Sequence, residues 1–204
     1  MADQPDQAIS IPNLPLPLRW QVAPERWSAD GGALAITSGA STDLFVDPDG
    51  GAVTLNAPCA LVSPPGDFML SARVTVDFAA MYDAGALLLY QGERAWGKLA
   101  LEYSPQRRPT VVTVVTRGVS DDCNSFTIDG NQLWLRIARL GPAFAFHVSN
   151  DGRYWQLIRY FATGVAEAPA VGFLAQSPSG QGCTASFDAI AYAPERLGDL
   201  RGGA

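Results

Sequence analysis

Asp121, Asp122 and Cys123 stand together in TRGVSDDCNSF (116–126), where a run of valines and threonines gives way to acids. Adjacent carboxylates are hard oxygen ligands, and Ca²⁺ takes roughly six to eight such oxygens. Carbonyls of AQSPSG (175–180) could complete a shell. Turn chemistry is the competing reading, because Asp and Asn side chains hydrogen-bond their own backbone at turns. The D-D pair lacks the spaced acids of a dedicated calcium loop, and DPDGG (47–51) fits a Pro/Gly turn equally well. Cys123 would need a base to act as a nucleophile, and His147 is the only imidazole in the chain. No metal-ligand set and no cofactor is assigned. The acidic segment reads as a loop edge that could lend Asp122 to a ligand rim.

A second group of residues is defined by parity. In WGKLALEY (96–103), Gly97, Leu99, Leu101 and Tyr103 alternate with Trp96, Lys98, Ala100 and Glu102. Successive side chains of a strand point to opposite faces, so the leucines mark the core side and the charged residues the outer side. In LWLRIA (133–138), Trp134 and Arg136 are outward by the same rule, and in FAFHV (144–148) so is His147. If these hairpin-connected strands are neighbours in one sheet, their outer faces form a single surface with two indoles and several charges. Such a surface suits a sugar: Trp96 and Trp134 are platforms, Lys98, Glu102 and Arg136 bond hydroxyls or an acidic group, and Arg117 and Asp122 close the rim. The plainer alternatives are cross-strand packing with cation–π pairs, a surface salt bridge between Lys98 and Glu102, and a structural His147.

Strands must carry these residues, and the chain is patterned for them. FMLSARVTVDF (68–78) alternates apolar and polar for eleven residues, the signature of a strand with one buried and one wet face. Turn signals such as ADGG (29–32), SPPGD (63–67), IDGN (128–131) and NDGR (150–153) recur along the chain, at spacings that suit strands joined by hairpins. No long segment has a helical apolar period free of Gly and Pro. The expectation is all-β: a two-sheet antiparallel jelly-roll sandwich. IPNLPLPL (11–18) reads as a Pro-rich, partly mobile arm over residues 1–17, a single domain spans 18–194, and ERLGDLRGGA (195–204) reads as a frayed tail.

Composition narrows the partners. The 204 residues include 14 basic and 20 acidic ones and no basic stripe, which argues against nucleic acid. No stretch approaches the ~18 apolar residues of a membrane span, so no membrane partner is expected. The N-terminus MADQPDQAIS has no apolar segment of a secretory signal. Three cysteines without a C-x-x-C pair then suggest reduced thiols in the cytoplasm.

Several longer strings, among them TDLFVDPDGG, WGKLALEYSP, VVTRGVSDDCNS and LWLRIARLGPAFAFHVSNDGRYWQLIRYF, resemble the domain-of-unknown-function 1349 family, which includes regulation-of-enolase-type proteins. The resemblance covers nearly all of residues 18–193. It implies a concanavalin-A-like lectin/glucanase sandwich with a ligand site on its concave face. Glucanases of that fold carry catalytic acids as E-x-D-x-E on one strand, whereas around Glu102 this chain has Lys98 and Ala100 in the partner positions. The expectation is a binding module for a carbohydrate or small polar, sugar-derived metabolite. The alternatives are a glycoside-active enzyme with Glu102 as acid/base, or a regulatory module for a protein partner.

Overall fold

The structure, a computed structural model, describes residues 8–203. Among the described residues sixteen strands run in chain order: β1 (Arg19–Val22), β2 (Arg26–Asp30), β3 (Ala33–Thr37), β4 (Leu44–Val46), β5 (Val53–Leu55) and β6 (Cys59–Val62). There follow β7 (Phe68–Val76), β8 (Ala84–Tyr90), β9 (Ala95–Tyr103), β10 (Pro109–Arg117) and β11 (Val119–Thr127). The last five are β12 (Gln132–Leu140), β13 (Ala143–Ser149), β14 (Gln156–Phe161), β15 (Ala170–Gln176) and β16 (Thr184–Ala193). They form two seven-stranded sheets, ordered β1-β6-β15-β8-β9-β10-β11 and β14-β13-β12-β7-β16-β3-β2, and the separate hairpin β4-β5. All the pairings are antiparallel. This is the two-sheet antiparallel sandwich that the alternation predicts.

The core lies between the two sheets. On β7, Phe68, Leu70, Ala72, Val74 and Val76 are fully buried and the residues between them only partly. Leu99 and Leu101 of β9 and Leu133, Leu135 and Ile137 of β12 join the same cluster. Each large side chain so buried stabilises the fold by about 1.5–3 kcal/mol. Gly97 shares this inner face, and a Cβ there would lie 2.7 Å from Cζ of Phe161. Its missing side chain admits the phenylalanines of β13 and β14 against β9.

The first sheet is also apolar outside. Strands buried on both faces read as near-continuous hydrophobic runs, which explains TVVTVVT (110–116). The outer face is roofed by the β4-β5 hairpin, whose Leu44 packs with Leu88, Trp96, Ala100, Val112 and Val114 in a second apolar cluster.

Three segments differ from expectation. The acidic stretch is no loop: it is the edge strand β11, turned back at Gly118, which adopts φ +82°. Residues 8–17 of the N-terminal arm are anchored, because Ile9 bridges Leu18 and both are buried with Ile11 in the main core, while residues 1–7 of the arm lie outside the described residues. Within the C-terminal tail, Leu197 is buried against Ala138, Leu140 and Ala145 on the outer face of the second sheet. Apolar residues spaced through polar, Pro- or Gly-rich sequence tie both ends down.

Candidate functional site

Beside the hairpin roof, the outer face of β9, β10 and β11 opens into a cavity of about 500 Å³. Lys98 forms its floor and is 2% exposed. Its ammonium donates to the Leu44 carbonyl at 3.1 Å and to Gln176 Oε1 at 2.7 Å, and lies 3.5 Å from Asp43 Oδ1. Burying an ammonium is costly unless it is paired and hydrogen-bonded, and these three acceptors meet that need.

Glu102 and Asp122 face the same cavity. Val114 of β10 pairs with Lys98 on one side and Asp122 on the other, so those two stand in one row. Glu102 lies four positions further along β9, against Thr110. Burial pushes the Glu102 carboxyl up to about 7; Lys98 opposes the rise, and Asp122 and Asp43 add to it. Burial also raises Asp122, against the pull of Lys98, the Cys123 amide and Arg159, with Asp43 again adding. Phe45 of the hairpin and Tyr82 supply aromatic walls, with Ser104, Asn124 and Pro178 around them.

The cavity therefore brings together Lys98, Glu102 and Asp122, but not the other residues singled out by parity. Trp96 shares their face yet is fully buried under the hairpin, 6.0 Å from the Lys98 ammonium, and offers no platform. Arg117 is half-exposed at the end of β10, 3.6 Å from Asp121, and does not line the cavity. Trp134, Arg136 and His147 belong to β12 and β13 and so to the other sheet. The single two-indole surface is corrected accordingly. The chain crosses from one sheet to the other between β11 and β12, so those consecutive strands are not neighbours.

On that far face the tail occupies the polar residues. Arg136 donates to the Gly203 carbonyl at 2.8 Å, stacks 4.2 Å from the Trp155 ring, and is pushed down to about 10 by burial. His147 Nε2 donates to the Leu200 carbonyl at 2.8 Å. Burial holds its imidazole below the ordinary value, as does the charge of Arg136, while the bond to Leu200 opposes them. Asp121 projects away from Asp122 and pairs with Arg159 of β14 at 2.7 Å, joining the edges of the two sheets. The two aspartates thus cannot chelate one ion together. Among the described residues no group of three or more His, Cys, Asp or Glu is arranged to hold a metal.

Parity alone missed Asp43, Phe45, Tyr82 and Gln176. Asp43 and Phe45 lie in TDLFVDPDGG, Gln176 in AQSPSG and Tyr82 just before β8, all outside the alternating strand segments. Chemically, the cavity offers carboxylate acceptors, a buried cation, amide and hydroxyl groups, and two aromatic side chains.

The family description "Protein of unknown function (DUF1349)" matches residues 20–195. A functionally unknown protein from Saccharomyces cerevisiae superposes with TM-score 0.80 at 21% identity, over 86% of this chain and 95% of that one. A GH43 protein from Bacillus licheniformis superposes with TM-score 0.69 at 19% identity, over 86% of this chain but 37% of the longer partner. The carbohydrate binding module CBM66 from Bacillus subtilis gives TM-score 0.55 at 15% identity, over 85% and 94% of the two chains. At these identities the likeness is one of fold. No curated protein matches the chain.

Proposed function

The chain belongs to the DUF1349 family of unknown function, and from that premise we propose that it is a carbohydrate-binding β-sandwich whose ligand occupies the cavity of Lys98, Glu102 and Asp122. One observation carries the reading: two carboxyls and an oriented, buried lysine share a cavity with Phe45 and Tyr82. Ligand sites pair apolar walls with a few placed polar groups. Phe45 and Tyr82 suit the C–H face of a sugar ring, and Glu102 and Asp122 suit its hydroxyls. Likeness to a carbohydrate binding module and to a GH43 protein is consistent with this.

A glycoside-active enzyme is the second reading, favoured by a Glu102 carboxyl that titrates at about 7, where a general acid works best. The layout supports it less well. Glu102 and Asp122 are offset by four residues along the strand and two strands across, on the order of 13 by 10 Å between Cα atoms. Retaining hydrolysis sets its carboxyls ~5–5.5 Å apart. Calorimetric titration against an oligosaccharide panel, with product analysis after prolonged incubation, separates the readings. Saturable binding with intact sugar is the expected result. Cleavage would transfer the function to the enzyme class, and a panel without any binder would remove the carbohydrate reading.

A further inference from the structure

The charge of the cavity says more about its ligand. Lys98 is the one cation among the lining residues, and an ammonium has three donors. Leu44, Gln176 and Asp43 already surround it, so little of its charge is left for a ligand. Glu102 and Asp122 are in the opposite condition. Among the described residues no side chain donates a hydrogen bond to either carboxyl, and Arg159, whose charge reaches Asp122, is paired with Asp121. Burial holds both carboxyls above their ordinary values, and the pull of Lys98 only partly offsets it.

We infer that the cavity takes a sugar bearing protonated amines, a short de-N-acetylated hexosamine oligomer, with ammonium groups of separate units against Glu102 and against Asp122 and a ring against Phe45 and Tyr82. This rests on the carbohydrate reading and adds its charge class. An ammonium supplies the charge-assisted bonds these carboxyls lack. A uronate or sugar phosphate would meet two acids with no free cation, a repulsive arrangement. A neutral sugar would cover the half-buried Glu102 carboxyl without supplying a counter-charge. Because a bound cation favours the ionised form of its neighbours, binding should expel the proton that Glu102 carries near neutral pH.

The test is calorimetric titration of the full chain with glucosamine oligomers, their N-acetylated forms, xylo-oligosaccharides, oligogalacturonate and spermidine. Glucosamine oligomers should bind at least about ten-fold more tightly than the N-acetylated forms, the scale of one charged hydrogen bond. Their affinity should rise between pH 5.5 and 7, and the apparent enthalpy should change with buffer in the sense of proton release. Glu102→Gln and Asp122→Asn should each weaken them about ten- to a hundred-fold, with melting curves confirming that both variants are folded. A neutral oligosaccharide bound as tightly as the amine, or a preference for oligogalacturonate, would overturn the inference and leave the carbohydrate reading standing. Spermidine binding with no glycan binding, or no binding by any probe, would overturn both.

Discussion

The Lys98 ammonium lies 3.5 Å from the Asp43 carboxylate while it donates to the next carbonyl, that of Leu44. One buried charge thus fastens the β4-β5 hairpin to the sheet beneath it. Lys98→Ala leaves Asp43 and Gln176 without their partner and opens a void under the roof. Breaking a buried pair costs ~3–5 kcal/mol, and the partial exposure of Asp43 puts this case at about 3 kcal/mol. Hydrogen exchange of residues 43–55 should accelerate more than that of β7. Unchanged protection of the hairpin would mean that apolar packing alone holds it.

Glu102 should make stability fall as the solution becomes alkaline. Its carboxyl is raised from 4.5 to about 7, so between those values the folded chain binds more protons than the unfolded one. That contribution is complete below 4.5 and is lost as the pH passes through 7. Glu102→Gln mimics the protonated form. It should equal wild type in stability near pH 4.5 and exceed it at pH 8 by about 1–2 kcal/mol, after discounting for partial exposure. Urea melts at both pH values measure this, and a variant less stable than wild type at pH 8 would contradict it.

His147 should act in the opposite sense. Its folded value lies below 6.5, so the unfolded chain binds the extra proton, and stability is lost as the pH falls through 6.5 toward that lower value. Between pH 7 and 5, wild type should lose more stability than His147→Gln. Parallel losses would show that the imidazole stays solvated beneath the tail.

Deleting residues 196–204 should destabilise the domain. The deletion exposes Ala138, Leu140 and Ala145 and strips Arg136 and His147 of their carbonyl acceptors. Loss of the buried Leu197 and of these bonds is worth on the order of 3 kcal/mol, roughly 6–12 °C in melting temperature for a chain of this size. An unaltered melting curve would return the tail to the frayed segment that its composition suggests.

One thiol should react quickly. Cys123 is exposed on β11, whereas burial pushes Cys59 up to about 12 and Cys183 up to about 11. An aromatic disulfide reagent at pH 8 should titrate one equivalent at once and the other two only on unfolding. Rapid release of two equivalents would indicate an open outer cluster around Cys59, and of three an open core around Cys183 as well.

Alternation made the strands legible because period two follows from covalent geometry. The burial of β7 tracks its sequence residue by residue, and the parity of β9 correctly put Lys98 and Glu102 opposite Leu99 and Leu101. Parity does not say which sheet a strand joins, and the crossing after β11 sends Trp134 and Arg136 to the far side. Nor does it show what covers an outer face. Trp96 is outward by parity and fully buried in fact, because Leu44 and its hairpin arrive from fifty residues upstream. The strand character of SDDCNSF was hidden by residues with weak β preference, held in place by register with β10.

The placement of Asp122 on β11 has a consequence for solubility. β11 is the last strand of its sheet, and a nine-residue edge presents amides and carbonyls to which another chain can add. Its neighbours on β10 are valines and threonines, residues suited to growing a sheet outward. The adjacent aspartates put like charges at the middle of that border, where a second copy aligned antiparallel would bring acid against acid. The carboxyl that faces the cavity is therefore also a charge that opposes strand addition at this edge.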